Sequence, residues 1–161
     1  PADDKESNYG EFYRLLVATG VIPRESVFPF KYNVDEQQAL KDAEALIGKI
    51  PFVDGLPRFD LIILGIGEDG HTASIFPGNL QSFESRRIVE IAVHPQTKQH
   101  RLTLTGSVIN NAEDIIFLCT GASKKPVIDE IVNRKNRSLP ASRVSASGSL
   151  FFYVDEAVVS R

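Results

Sequence analysis

The sequence predicts an α/β fold: a mainly parallel sheet with helices packed on both of its faces. Three observations predict it. Two short runs are apolar almost without interruption, Asp60-Leu61-Ile62-Ile63-Leu64-Gly65 and Asp114-Ile115-Ile116-Phe117-Leu118-Cys119, the pattern of strands covered on both sides, as in a parallel sheet. Each run breaks off in a turn that contains a glycine, Gly65 in the first case and Gly121 in the second. Strand-like runs also alternate with segments of helical periodicity, which marks βαβ units.

Each element follows from local pattern. Ser7 is placed to cap a helix through Tyr9, Phe12, Leu15, Leu16 and Thr19, and Gly20 stops it. Val21–Phe30 contains Pro23 and Pro29 and reads as loop with a short extended piece. Asp35–Lys49 carries Ala39, Leu40, Ala43, Leu46 and Ile47 on one helical face. Pro51–Arg58 is a turn-rich connector into the strand Asp60–Gly65. Arg87–Val93 and Arg101–Thr105 are strands, joined by the polar, exposed segment His94-Pro95-Gln96-Thr97-Lys98-Gln99-His100. Ser107–Ala112 is a short helix, Asp114–Cys119 the second apolar strand, and Lys124–Asn133 a helix after the turn Thr120–Ser123. Leu150–Val154 is the last strand, and Asp155 can cap a terminal helical turn.

The 161 residues fit one domain, and 42% hydrophobic content is enough for a core. A net charge of −3 gives no general basic field for nucleic acid or an anionic membrane, and no apolar stretch reaches the length of a bilayer span. The basic stretch Arg134-Lys135-Asn136-Arg137, with Arg143 nearby, reads as solvated surface. The single cysteine, Cys119, lies in an apolar strand and reads as a small buried hydrophobe. The sequence shows neither a signal peptide nor any methionine, and begins with the polar, acidic Pro1–Glu6. The location expected from these features is cytoplasmic.

The residues most able to do chemistry follow the first apolar strand, in Gly65-Ile66-Gly67-Glu68-Asp69-Gly70-His71-Thr72-Ala73-Ser74-Ile75-Phe76-Pro77-Gly78. In open parallel α/β sheets ligands bind beyond the carboxyl ends of the strands. An imidazole, with its ordinary pKa near ~6.5, can accept a proton there at neutral pH. Asp69, two residues before His71 in the sequence, can orient that ring or stabilise its charged form. The competing expectation is that His71 caps a helix opening at Thr72-Ala73-Ser74.

A second turn, Gly121-Ala122-Ser123-Lys124, opens a helix after the other buried strand. Helix N-termini attract phosphate through free N–H groups and the helix dipole, and Lys124 adds a full charge; an ordinary exposed lysine is the alternative. The spacing is not that of a Walker loop. Arg101 opens a strand, where it can reach a phosphate or carboxylate or form a salt bridge. His94 and His100 read as solvated. No histidine–carboxylate set has metal-ligand spacing, so no metal is predicted, and without a Gly-x-Ser-x-Gly elbow a serine triad is not predicted either. A base at one strand end and an anion site at another suggest a small phosphorylated substrate.

The run Phe59–Gly78 closely resembles the signature of 6-phosphogluconolactonases. Ser7-Asn8-Tyr9, Arg101-Leu102-Thr103-Leu104-Thr105, the Gly121–Lys124 turn, Leu139-Pro140-Ala141 and Phe152-Tyr153-Val154-Asp155-Glu156-Ala157 match in order, so the resemblance covers nearly the whole chain. It implies a Rossmann-like three-layer α/β/α sandwich similar to glucosamine-6-phosphate deaminase. It also implies His71 as the catalytic base, Lys124 as the phosphate lysine and Arg101 in a substrate contact. Beside these, the residues themselves lead us to expect Asp69 as the catalytic partner of His71, Gly67 and Gly70 at the substrate, and backbone donors from the Gly65–Gly70 turn at the oxyanion. A phosphorylated sugar lactone is the implied substrate and no cofactor is required; a monomer or weak homo-oligomer is expected. Family members also carry an upstream glycine- and serine-rich phosphate loop and then an Asp-Glu-Arg motif. Neither occurs here, and Pro1–Tyr9 resembles the segment just after them, so a single domain over 1–161, incomplete at its N-terminus, is expected. Two other readings stand beside hydrolysis: a deaminase, which would carry a glutamate before the proline where this chain has Phe76-Pro77, and a sugar-phosphate binding protein without turnover.

Overall fold

The computed structural model describes residues 7–31 and 35–159; Pro1–Glu6 lies outside them. The first helix, α1 (Asn8–Phe12), continues as a π-helical turn over Tyr13–Val17. Ser7 caps it, its hydroxyl accepting from the Gly10 N–H at 3.0 Å, and Gly20, with φ of 76°, follows its end. The expected extended piece in Val21–Phe30 is instead a 3₁₀ turn, Arg24–Ser26. Helix α2 (Glu36–Ile47) starts at Asp35, whose carboxylate accepts from the N–H groups of Gln37 and Gln38.

The connector Pro51–Arg58 folds into a small hairpin of β1 (Phe52–Val53) and β2 (Leu56–Pro57). Its two-residue turn places Asp54 and Gly55 at positive φ, as a tight hairpin demands. Asn111 anchors the hairpin by donating to the carbonyls of Val53, Leu56 and Pro57.

Three parallel strands form the central sheet in the order β3 (Leu61–Leu64), β6 (Asp114–Cys119) and β7 (Ser149–Val154). In register, Leu64 lies opposite Phe117 and Phe117 opposite Phe152, so the three carboxyl ends emerge side by side. The inner face carries Ile62, Leu64, Ile115, Phe117 and Cys119. It packs with Ile109 of α4 (Gly106–Asn110) and with Val127 and Ile131 of α5 (Lys125–Val132). Phe117 is fully buried and stacks on Phe152 at 5.0 Å. Cys119 is buried as expected.

The other face differs from the expectation of strands covered on both sides. Leu61, Ile63, Leu118, Phe151 and Tyr153 are exposed there, Ile63 by 62%. Apolar sequence on both faces records a preference for burial; which face is covered depends on a further layer, and no described residue supplies one over these side chains. The α/β class and the mainly parallel sheet stand.

A separate antiparallel pair, β4 (Val89–Val93) and β5 (His100–Leu104), packs against α2 through Ala43, Ile47, Val89 and Leu102. A short helix the sequence does not announce, α3 (Gln81–Glu84), precedes it. Asp155 ties the chain end to the sheet: its carboxylate accepts from the Gly121 N–H at 3.0 Å and caps α6 (Glu156–Val159) through Val158 N–H. In the basic stretch Arg134 pairs with Asp129 and Glu130, and nearby Arg143 pairs with Glu84. Among the described residues, no helix is long and apolar enough to cross a membrane.

Candidate active site

The site begins where β3 ends. The chain turns back on itself: Gly70 N–H donates to Gly67 O at 2.9 Å, and Gly67 N–H donates to His71 O at 2.9 Å. Gly70 sits at φ of 82°, which disfavours a side chain. The turn delivers Asp69 and His71 to each other. Asp69 Oδ1 accepts from the His71 backbone N–H at 3.1 Å and meets His71 Nδ1 at 2.6 Å. Buried threonine hydroxyls brace this segment, Thr72 donating to Gly65 O at 2.9 Å and Thr103 accepting from Ser74 N–H at 3.2 Å.

No helix opens at Thr72. Thr72 and Ile75 instead bridge across a tight turn with Ala73 at φ of 50°, so His71 is not a helix cap, contrary to the competing expectation. The physical reason is the Thr72–Ile75 bridge, which closes the loop before a helical turn can start.

Partial burial opposes ionisation of Asp69, but the His71 backbone N–H and ring, with Asp69's own N–H, outweigh it and hold the carboxyl below its ordinary pKa. An ionised carboxylate only accepts hydrogen bonds. In a neutral His71 ring the proton therefore sits on Nδ1, and Nε2 keeps its lone pair. The arrangement is a base with its tautomer fixed.

Gly67 and Gly70 have a different task from the expected one. Their N–H and C=O groups are consumed within the fold: Gly67 bonds to His71 and Gly70, and Gly70 O accepts from Ala141 N–H at 3.1 Å. These two N–H groups therefore do not point at an oxyanion. The reason for glycine is room. A Cβ on Gly67 would lie 2.1 Å from His71 Nδ1 and 2.5 Å from Asp69 Oδ1, and one on Gly70 would lie 2.9 Å from Leu139 Cδ2.

Lys124 lies at the neighbouring strand end, closing the 3₁₀ turn Ala122–Lys124 after Gly121 at φ of 95°. Burial pushes the Cys119 thiol up, Lys124 opposes this and Asp155 adds to it, so the ammonium is felt at the carboxyl end of β6. Arg101 lies in β5, shares a strand face with Thr103 by the two-residue period, and donates to Gln99 Oε1 at 3.0 Å.

His94 departs from the expectation of a solvated ring. It is half-buried and contacts Phe76 at 5.0 Å between centroids, while Phe76 contacts His71 at 4.8 Å. His100 is exposed and meets Glu36. Sequence reasoning also missed Thr72 and Thr103 as braces of this turn, because a threonine in a loop or on a strand carries no mark of the distant partner its buried hydroxyl will find.

The family model for glucosamine-6-phosphate isomerases/6-phosphogluconolactonase matches residues 1–152. A 6-phosphogluconolactonase of Rattus norvegicus is 36% identical over 159 residues, covering 98% of this chain and 62% of its own length. The Haemophilus influenzae 6-phosphogluconolactonase is 38% identical, covering 99% of this chain and 68% of its own. The solved 6-phosphogluconolactonase of Trypanosoma brucei superposes with a TM-score of 0.81 at 30% identity, over 99% of this chain and 69% of that one. The chain thus spans 62% to 68% of the length of these two curated relatives. With the strand-end turn, the parallel sheet and the match over most of its length in agreement, the chain belongs to the glucosamine-6-phosphate isomerase/6-phosphogluconolactonase family.

Proposed function

We propose that this chain hydrolyses 6-phospho-D-glucono-1,5-lactone to 6-phospho-D-gluconate, with His71 as the general base. The observation that carries the reading is the Asp69–His71 pair at 2.6 Å. Asp69 holds Nδ1, so Nε2 accepts a proton from water as that water attacks the lactone carbonyl. The same nitrogen then returns the proton to the ring oxygen as the C–O bond breaks. Water is added and nothing is oxidised or reduced, so the step needs no cofactor. Lys124, at the adjacent strand end, is assigned the phosphate; Arg101 is assigned a secondary substrate contact. The same reading carries the cytoplasmic location and the monomer or weak homo-oligomer.

A deaminase reading is disfavoured by Phe76. Aldose–ketose isomerisation moves protons between carbon and oxygen and calls for further acid–base groups. The side chain packed on the His71 ring is a buried phenyl, 4% exposed, which supplies none.

The test is hydrolysis of freshly generated lactone, above its spontaneous rate, by the protein expressed from its natural gene beside its His71→Ala variant. General base catalysis is worth typically ~10²–10⁴-fold. A loss of that size in kcat with little change in KM supports the assignment; no acceleration by the wild-type protein sinks it and leaves binding without turnover.

A further inference from the structure

We infer that His94 is a positioning residue for the proposed reaction, holding the plane of the His71 ring through the phenyl of Phe76. The inference rests on the hydrolase reading above. Asp69 fixes the His71 ring at a single atom, Nδ1. With the covalent tether at Cβ, that hydrogen bond still leaves the ring able to rock about the line joining its two anchors, so a contact on the ring itself steadies Nε2 where it must meet water. Phe76 supplies that contact, its ring tilted 46° to His71 at 4.8 Å.

Phe76 in turn meets the His94 ring at 5.0 Å and 74°, an edge-type contact of the geometry aromatic pairs prefer. His94 is itself held fast. Its Nδ1 accepts from the backbone N–H groups of Gln96 at 3.3 Å and Thr97 at 3.2 Å. Its own N–H donates to Gln99 O at 2.8 Å, and its carbonyl accepts from Lys98 N–H at 3.0 Å. Lys98 takes a positive φ of 59° to close this loop. The loop between β4 and β5 is therefore wound around one imidazole, and that imidazole is presented to Phe76.

The two jobs of His94 can be separated. His94→Phe keeps a ring against Phe76 and loses the loop acceptor. His94→Asn keeps an acceptor near the Nδ1 position and loses the ring. The experiment measures kcat and KM on the phosphorylated lactone for both variants and His94→Ala. It also records the ¹⁵N signals of the His71 ring in the ligand-free protein, which report its tautomer and environment. Loss of an aromatic contact of this kind corresponds to about three- to tenfold. His94→Ala and His94→Asn are expected to lose that much kcat with KM within about twofold and to shift the His71 signals, while His94→Phe recovers most of both. Wild-type kcat and His71 signals in His94→Asn overturn the inference, as do equal losses in His94→Asn and His94→Phe.

A double-mutant cycle keeps the question open to decision should one variant fold poorly. In a Phe76→Leu background, His94→Ala is expected to cause no further loss; an additive loss means that His94 does not act through Phe76. If the wild-type protein leaves the lactone untouched, the hydrolase reading fails, whereas the His71 ring signals still decide the role of His94.

Discussion

Gly67→Ala is expected to separate catalytic geometry from stability. The new Cβ would stand 2.1 Å from His71 Nδ1, 2.3 Å from Cε1 and 2.5 Å from Asp69 Oδ1. Ordinary contact begins at 3.4 Å, so the imidazole has to retreat by about 1.3 Å, and the bond to Asp69 is broken. A misplacement of about 1 Å at a reacting group costs roughly 10²-fold, or about 2.7 kcal/mol of transition-state stabilisation. The same change is mild for folding. Gly67 lies outside the left-handed region. The displaced groups are ends of side chains with solvent to move into, 29% exposed for His71 and 47% for Asp69. Replacing glycine at a compatible backbone position also narrows the unfolded ensemble, worth about 0.4–1 kcal/mol. The assay is kcat/KM on fresh lactone alongside a thermal melt. The expected result is a roughly 100-fold loss with Tm lowered only by the share of stability that the partly exposed Asp69–His71 side-chain contact supplies. Activity within about threefold of wild type would refute the claim that this contact positions the base.

Three other outcomes follow from neighbouring residues. Gly70→Ala should do the reverse, since φ of 82° strains the backbone of any residue with a Cβ and that Cβ would meet the Leu139 side chain at 2.9 Å; a cost of about 1–3 kcal/mol lowers Tm by roughly 3–10 °C in a melt. Lys124→Ala should raise KM about 10- to 100-fold for the phosphorylated lactone, the worth of a charge-assisted hydrogen bond. It should leave KM for the unphosphorylated lactone in place, and equal effects on both substrates would remove Lys124 from the phosphate. Asp69→Asn bears on acid stability. The folded carboxyl titrates below its ordinary value of 3.8, so its contribution is whole above that value and is lost as pH falls through the lower, folded one. Denaturant unfolding should show the variant less stable than wild type at neutral pH, with the gap closing below about pH 4.

The order of elements and the strand ends that carry the candidate site were legible in the chain itself. Apolar runs at 61–64 and 115–119, with glycines just beyond, announced parallel strands and put Asp69, His71 and Lys124 at their carboxyl ends. Ser7 announced its helix because a cap is a local contact, made within three residues of its own position. The tertiary structure decided what depends on distant partners. Only the fold shows that Gly67 and Gly70 make room and spend their N–H groups inside the turn, because a hydrogen-bond ledger cannot be read from residue types. Only the fold closes Thr72–Ile75 into a bridge where a helix was the alternative, and brings His94 to Phe76 across eighteen positions of sequence. Hydropathy fixed which residues of the sheet seek burial. Which of its two apolar faces is covered followed from where the helices came to rest, over Ile62, Ile115 and Phe117 and away from Ile63 and Leu118.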